Sequence, residues 1–222
     1  MIVKVCGVRT PEVADAAVDA GADLVGLVFV ERSPRNVDDR AAGAVREAVA
    51  GRADLVGVLV EPSAELCDHL ARRHGLAAVQ VHGRVDPRLV EQVAVPVVRA
   101  LNVRSAAEAY TDGWWPASLL LLDAAPDCAG ALPGGTGRRL PLEWAAEVAR
   151  HRPTILAGGL GPENVADAIA AVRPHGVDAS SGLESAPGVK DPALVRAYVR
   201  TARAAFDLLD MHTANAATGG RG

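Results

Sequence analysis

The sequence predicts a single α/β domain folded as a (β/α)8 TIM barrel, and three observations carry that reading. Short β-branched runs alternate with amphipathic helical segments eight times between Ile2 and Leu209. Such alternation leaves two architectures, a closed barrel or an open doubly wound sheet. The strand-like runs are apolar on both faces, as parallel strands buried under helices are. Bare-backbone strand ends then fall at units seven and eight, Gly158-Gly159 and Ser180-Ser181-Gly182, while the first strand ends in Cys6-Gly7-Val8-Arg9. An open dinucleotide-binding sheet carries its glycine loop after strand one. A barrel instead builds a phosphate cup from the loops after strands seven and eight. The barrel is expected over residues 1–210, with 211–222 as a disordered tail.

The elements follow in order. Ile2–Val5 is the first strand, and Pro11–Ala20 a helix with Val13, Ala16, Ala17 and Ala20 on one face and proline in its first turn. Leu24–Val30 is followed by the loop Glu31–Arg35, the helix Asp38–Ala50 and the strand Asp54–Val60. Ser63 caps a helix to Arg73 with Leu66 and Leu70 inward. Ala78–His82, Pro96–Leu101 and Leu119–Leu122 are strands four to six, separated by short helices at Pro87–Val93 and Ser105–Tyr110. After the helix Leu142–Arg150, the strand Thr154–Ala157, the helix Asn164–Val172 and the strand Gly176–Ala179 make a βαβ unit with glycine or serine at both strand ends. Pro192–Leu209 closes the barrel.

Composition narrows the function. A net charge of −4, no basic run and 3% aromatic residues argue against nucleic-acid and membrane-surface partners. Cysteines at 6, 67 and 128 show neither disulfide nor metal spacing relative to the six histidines. With no basic leader or long apolar stretch, the expectation is a cytoplasmic protein with reduced thiols. Bare N–H groups at 158, 159 and 180–182 suit a phosphorylated small molecule, since they offer donors without a Cβ in the way.

In a barrel the reacting groups sit at strand C-termini. Cys6 ends strand one, and Lys4 shares its face by the two-residue alternation, so an ammonium beside the thiol either favours the thiolate or pairs with an interior carboxylate. Asp123 follows four leucines, a costly place for a carboxylate without a partner or a task. Desolvation there raises its pKa and suits a general acid; a helix cap or loop hydrogen bond is the alternative, and Asp127 is the competitor. Arg35, with Arg32 as rival, is placed to take a carboxylate in bidentate fashion. His82 shares an inward face with Gln80 and either lines the pocket or is structural. Asp178 either holds a sugar hydroxyl, positions a catalytic group or partners Lys4. Gly134-Gly135-Thr136-Gly137 suits a lid or a further anion contact.

Taken together, Lys4-Val5-Cys6-Gly7-Val8, Ser33-Pro34-Arg35, Gln80-Val81-His82-Gly83, Asp123 with Gly134–Gly137, Leu156–Leu160 with Asn164-Val165, and Val177–Gly182 to Lys190-Asp191 resemble the N-(5′-phosphoribosyl)anthranilate isomerases. The resemblance spans about residues 2–200, with departures at Arg84, Glu143 and Ala124–Pro133. It implies an Amadori rearrangement in tryptophan biosynthesis, without cofactor or metal, by a monomer or homodimer. It further implies Asp123 as general acid, Cys6 as general base and Arg35 beside the anthranilate carboxylate. Arg35, His82, Gly135, Gly137, Gly158, Gly159, Asp178, Ser180, Ser181 and Gly182 form the expected binding set. Histidine-pathway aminoaldose isomerases fit less well, because they are two-fold repeats with an aspartate ending strand one. Indole-glycerol-phosphate synthases need lysine and glutamate at strand ends. A paralogue acting on a modified anthranilate and a catalytically silent phosphate-binding barrel are the other readings.

Overall fold

A computed structural model of the chain describes residues 1–103, 105, 108, 115–117, 119–124 and 140–218, with backbone alone for 212–218. Eight parallel strands close into a barrel in sequence order: β1 (Ile2–Cys6), β2 (Leu24–Val28), β3 (Asp54–Val60), β4 (Ala78–His82), β5 (Val97–Val103), β6 (Leu119–Ala124), β7 (Thr154–Leu156) and β8 (Gly176–Ala179). The ring is sealed where β1 pairs with β8, Lys4 opposite Asp178. Helices α1 (Pro11–Asp19), α2 (Asp39–Val49), α3 (Ala64–His74), α4 (Leu89–Gln92), α5 (Leu142–Ala149), α6 (Val165–Val172) and α7 (Pro192–Thr218) surround it.

Period-two alternation decides which residues meet where. Val3, Val5, Val79, Val81, Leu120, Leu122 and Val177 point outward into the main core beneath the helices. Val98, Ala100, Leu121, Ile155 and Ala157 fill the barrel interior. Cys6, Val28 and Val58 form a separate apolar cluster. The helix starts obey local chemistry, since the Thr10, Asp38 and Ser63 side chains accept from Val13 N, Ala41 N and Leu66 N.

Four details depart from the expectations. Leu66 is 44% exposed, not inward; the buried stripe of α3 is Cys67, Leu70, Ala71 and His74. The helix expected over Pro87–Val93 shrinks to Leu89–Gln92. A 3-10 turn (Ser181–Leu183) and a hairpin, β9 (Glu184–Ala186) with β10 (Val189–Lys190), lie between β8 and α7. Finally α7 continues past its expected end at Leu209 to Thr218, where alanine-rich sequence favours helix. The expected helix Ser105–Tyr110 falls mostly outside the described residues. No helix among the described residues is long and apolar enough to cross a membrane.

Candidate active site

Strand ends β1, β4, β6 and β8 and the loops after β2, β7 and β8 surround one cavity at the C-terminal end of the barrel. It encloses about 850 Å³ including open space at its mouth, enough for a drug-sized ligand. Cys6, Arg35, His82, Asp123, Gly158, Gly159, Asp178, Ser180 and Ser181 all line it. Gly182 does not line it: a Cβ there would sit 2.2 Å from the Leu160 carbonyl oxygen, so its bareness serves the close approach of the two loops. Gly135, Gly137 and the competitor Asp127 lie outside the described residues.

The β1–β8 register sets Lys4 beside Asp178, and Lys4 Nζ donates to Asp178 Oδ2 at 2.9 Å with both side chains buried. The interior partner considered for Lys4 is therefore present. Burial would lower the Lys4 pKa, but the Asp178 carboxylate and the neighbouring Cys6 hold it above the usual value. Asp178 Oδ1 has no hydrogen-bond partner among the described residues, so it is a buried acceptor on the cavity wall. Such an atom is costly until a donor arrives.

Cys6 packs on Val28 and Val58 and seats against Gly26, where a Cβ would lie 2.9 Å from Sγ. Burial pushes its thiol above the ordinary value, opposed by the Lys4 ammonium and reinforced by the Asp178 charge. The Lys4 ammonium thus favours the thiolate, as one reading of that residue has it, but burial outweighs it. Asp123 closes the inward row of β6, only 5% exposed, and its Oδ1 accepts from Ala124 N at 2.7 Å. Burial lifts its pKa to about 7; the Asp178 charge adds to this, while the Ala124 N–H, Lys4 and Arg35 work against it. That value suits proton donation near neutrality. On β4, Gln80 and His82 make a buried pair, Nε2 to Nε2 at 2.8 Å. Burial, then Lys4 and Arg99, bring the imidazole down to about 3, so it stays neutral.

Arg35 meets a carboxylate, but the protein's own. Its Nε and Nη2 donate to Glu184 Oε1 and Oε2 at 2.7 and 2.9 Å. In the loop after β7, Gly158 and Gly159 adopt φ of 90° and 62°, backbone that glycine adopts without strain. Asn164 holds this turn by donating from Nδ2 to Gly159 O and accepting from Gly161 N, both at 2.9 Å. Ser180 Oγ donates to Cys6 O at 3.1 Å, which ties the end of β8 to the end of β1.

The family model for N-(5′-phosphoribosyl)anthranilate (PRA) isomerase matches residues 3–201. The chain belongs to the phosphoribosylanthranilate isomerase family. An N-(5′-phosphoribosyl)anthranilate isomerase from Chelativorans sp. is 38% identical over 214 residues, covering 91% of this chain and 96% of that one. A phosphoribosyl anthranilate isomerase structure from Thermus thermophilus superimposes with a TM-score of 0.81 at 34% identity, covering 92% and 99% of the two chains. A second phosphoribosyl anthranilate isomerase, in complex with reduced 1-(o-carboxyphenylamino)-1-deoxyribulose 5-phosphate, superimposes at 0.80 with 31% identity, covering 92% and 100%.

Within this isomerase fold, sequence reasoning left out Glu184 altogether, and it gave Lys190, Gln80 and Asn164 a place in the motifs but no role in the site. Asn164 carried a readable signal, a cap residue directly before an apolar-periodic helix. Gln80 carried another, being two residues before His82 on the same inward face. Glu184 and Lys190 carried none, since their roles depend on a hairpin folding back over a loop that lies 149 residues from Glu184 in sequence.

Proposed function

We propose that the chain converts N-(5′-phosphoribosyl)anthranilate to 1-(2-carboxyphenylamino)-1-deoxyribulose 5-phosphate, the Amadori step of tryptophan biosynthesis. The observation that supports this best is the sharing of one cavity by a buried carboxyl with a pKa of about 7, Asp123, and a buried thiol, Cys6, three strands apart around the ring. Asp123 donates its proton to the ring oxygen as the C1′–O bond breaks, leaving an iminium ion at C1′. Cys6, as thiolate, takes the C2′ proton, and the resulting enolamine tautomerises to the ketone. The two steps are coupled electrostatically, because a cation forming beside a desolvated thiol favours its ionisation. Each proton-transfer group contributes about 10²–10⁴ in rate.

The remaining wall residues hold the substrate. Gly158, Gly159, Ser180 and Ser181 receive the 5′-phosphate. Asp178 Oδ1 accepts from a sugar hydroxyl, Arg35 faces the aromatic carboxylate, and neutral His82 lines the wall without adding charge. The test is the loss of anthranilate fluorescence when the chain is added to N-(5′-phosphoribosyl)anthranilate, run beside hydroxyanthranilate and histidine-pathway aminoaldoses. Catalytic loss with the anthranilate substrate is expected. Saturable binding without turnover on any of them would mark a silent phosphate-binding barrel and overturn the reading.

A further inference from the structure

Glu184 takes no part in those proton transfers, yet four donors converge on it. Its Oε1 accepts from Arg35 Nε at 2.7 Å and from Lys190 Nζ at 2.5 Å. Its Oε2 accepts from Arg35 Nη2 at 2.9 Å and from the Gly188 N–H at 3.2 Å. The side chains of Glu184 and Lys190 are 5% and 1% exposed, so this is a built cluster rather than a surface pair. Burial alone would raise the Glu184 pKa, but Arg35 and Lys190 hold it below the usual carboxylate value.

The hairpin that carries Glu184 is latched to the loop that carries Arg35. Gly188, at φ 79°, lies so close to the Pro34 carbonyl that a Cβ would come within 2.3 Å of its oxygen. Arg9 Nη1 donates to Pro34 O at 3.2 Å and to Gly188 O at 3.4 Å, spanning the junction. The arginine stem also crosses bare backbone: a Cβ on Gly7, the residue after Cys6, would stand 2.8 Å from Arg35 Cδ. Arg35 is thus fixed by its stem against the turn after β1 and by its head on β9.

An arginine that must order itself on binding loses rotamer freedom, whereas one held by a planar fork has that loss already met in the free protein. We infer that Glu184, backed by Lys190, is a positioning and specificity-determining residue, holding the Arg35 guanidinium so that the cavity prefers a ligand bearing an aromatic carboxylate. Two cations around one carboxylate leave the cluster net positive, which suits an incoming anion. The inference rests on the proposed substrate, whose aromatic ring carries that carboxylate.

The test measures Kd by calorimetry for reduced 1-(o-carboxyphenylamino)-1-deoxyribulose 5-phosphate and for the same compound without its carboxyl group. The proteins are the full chain and its Glu184→Gln, Glu184→Asp, Arg35→Met and Arg35→Met/Glu184→Gln variants. The unaltered chain is expected to prefer the carboxylated ligand by about tenfold or more, the scale of a charge-assisted contact. Both Glu184 variants should reduce that preference to about twofold or less while binding the carboxyl-free ligand as before. In the Arg35→Met background, Glu184→Gln should cost nothing further. Glu184→Asp separates geometry from charge, since it keeps the charge and shortens the arm. Full preference in both Glu184 variants, tighter binding in Glu184→Gln, or equal weakening of both ligands would each overturn the inference while leaving the proposed substrate intact. Undiminished preference in Arg35→Met, or no binding of either ligand by the unaltered chain, would overturn the reading beneath it as well.

Discussion

Replacing Asp123 by asparagine should make the protein more stable, and increasingly so as the pH rises from 5 to 7. Asp123 in the folded chain has its pKa lifted to about 7, chiefly by burial, against 3.8 for an ordinary aspartate. Across that window the folded state keeps a proton that the unfolded state has released. The stabilisation is therefore complete below the unfolded value and is lost as the pH climbs through the folded one. The slope for one proton is about 1.4 kcal/mol per pH unit, so roughly 2–3 kcal/mol disappears between pH 5 and 7. Asparagine keeps an oxygen for the Ala124 N–H but has no proton to lose. Urea unfolding of both proteins from pH 5 to 8 measures the difference, in which the groups common to both cancel. It should widen by about 2–3 kcal/mol in favour of the variant and level off above pH 8. A difference constant over that range would mean that Asp123 titrates as an ordinary carboxylate, which would make it a poor acid at neutral pH.

Three further outcomes follow from the same geometry. Lys4→Met leaves the Asp178 carboxylate buried without its cation and should cost about 3–5 kcal/mol in denaturant unfolding at pH 7; a loss under about 1 kcal/mol would contradict the buried pair. Gly182→Ala drives a methyl into the Leu160 carbonyl and should weaken inorganic phosphate binding about tenfold or more by displacing the cup, so unchanged affinity would refute that role for the two loops. The plot of kcat/KM against pH should rise to about pH 7, run flat, and fall only beyond the raised thiol value. Under the proposed roles the active form pairs a protonated Asp123 with an ionised Cys6, a minority at every pH. A profile already flat from pH 5 to 7 would be incompatible with that pairing.

The barrel and the floor of its cavity were readable because period-two alternation and strand ends are local properties. Lys4 and Cys6, Gln80 and His82, Asp178 and Ser180, and Asp123 after its leucines all point inward as the alternation requires. The Lys4–Asp178 pair was foreseeable only as one of several options, because choosing it requires closure of β8 on β1. The partner of Arg35 was not foreseeable at all. A ligand carboxylate and Glu184 offer the same chemistry, and nothing local shows that the segment after β8 forms a hairpin reaching the loop after β2. Gly182 reads in sequence as part of a phosphate cup, and the sequence does not show that its missing Cβ also spares the Leu160 carbonyl. Leu66 shows the limit of helical periodicity in a short window, where the stripe through Cys67 and His74 competes with one shifted by a residue.

The most direct measurement of the central claim is the turnover of N-(5′-phosphoribosyl)anthranilate by Cys6→Ala and Asp123→Asn, with the affinity of each for the reduced product analogue measured alongside. The account predicts that kcat falls by about 10²–10⁴ in each variant while the analogue still binds within a fewfold of the unaltered protein. Turnover within about threefold of normal in either variant would contradict the role given to that residue.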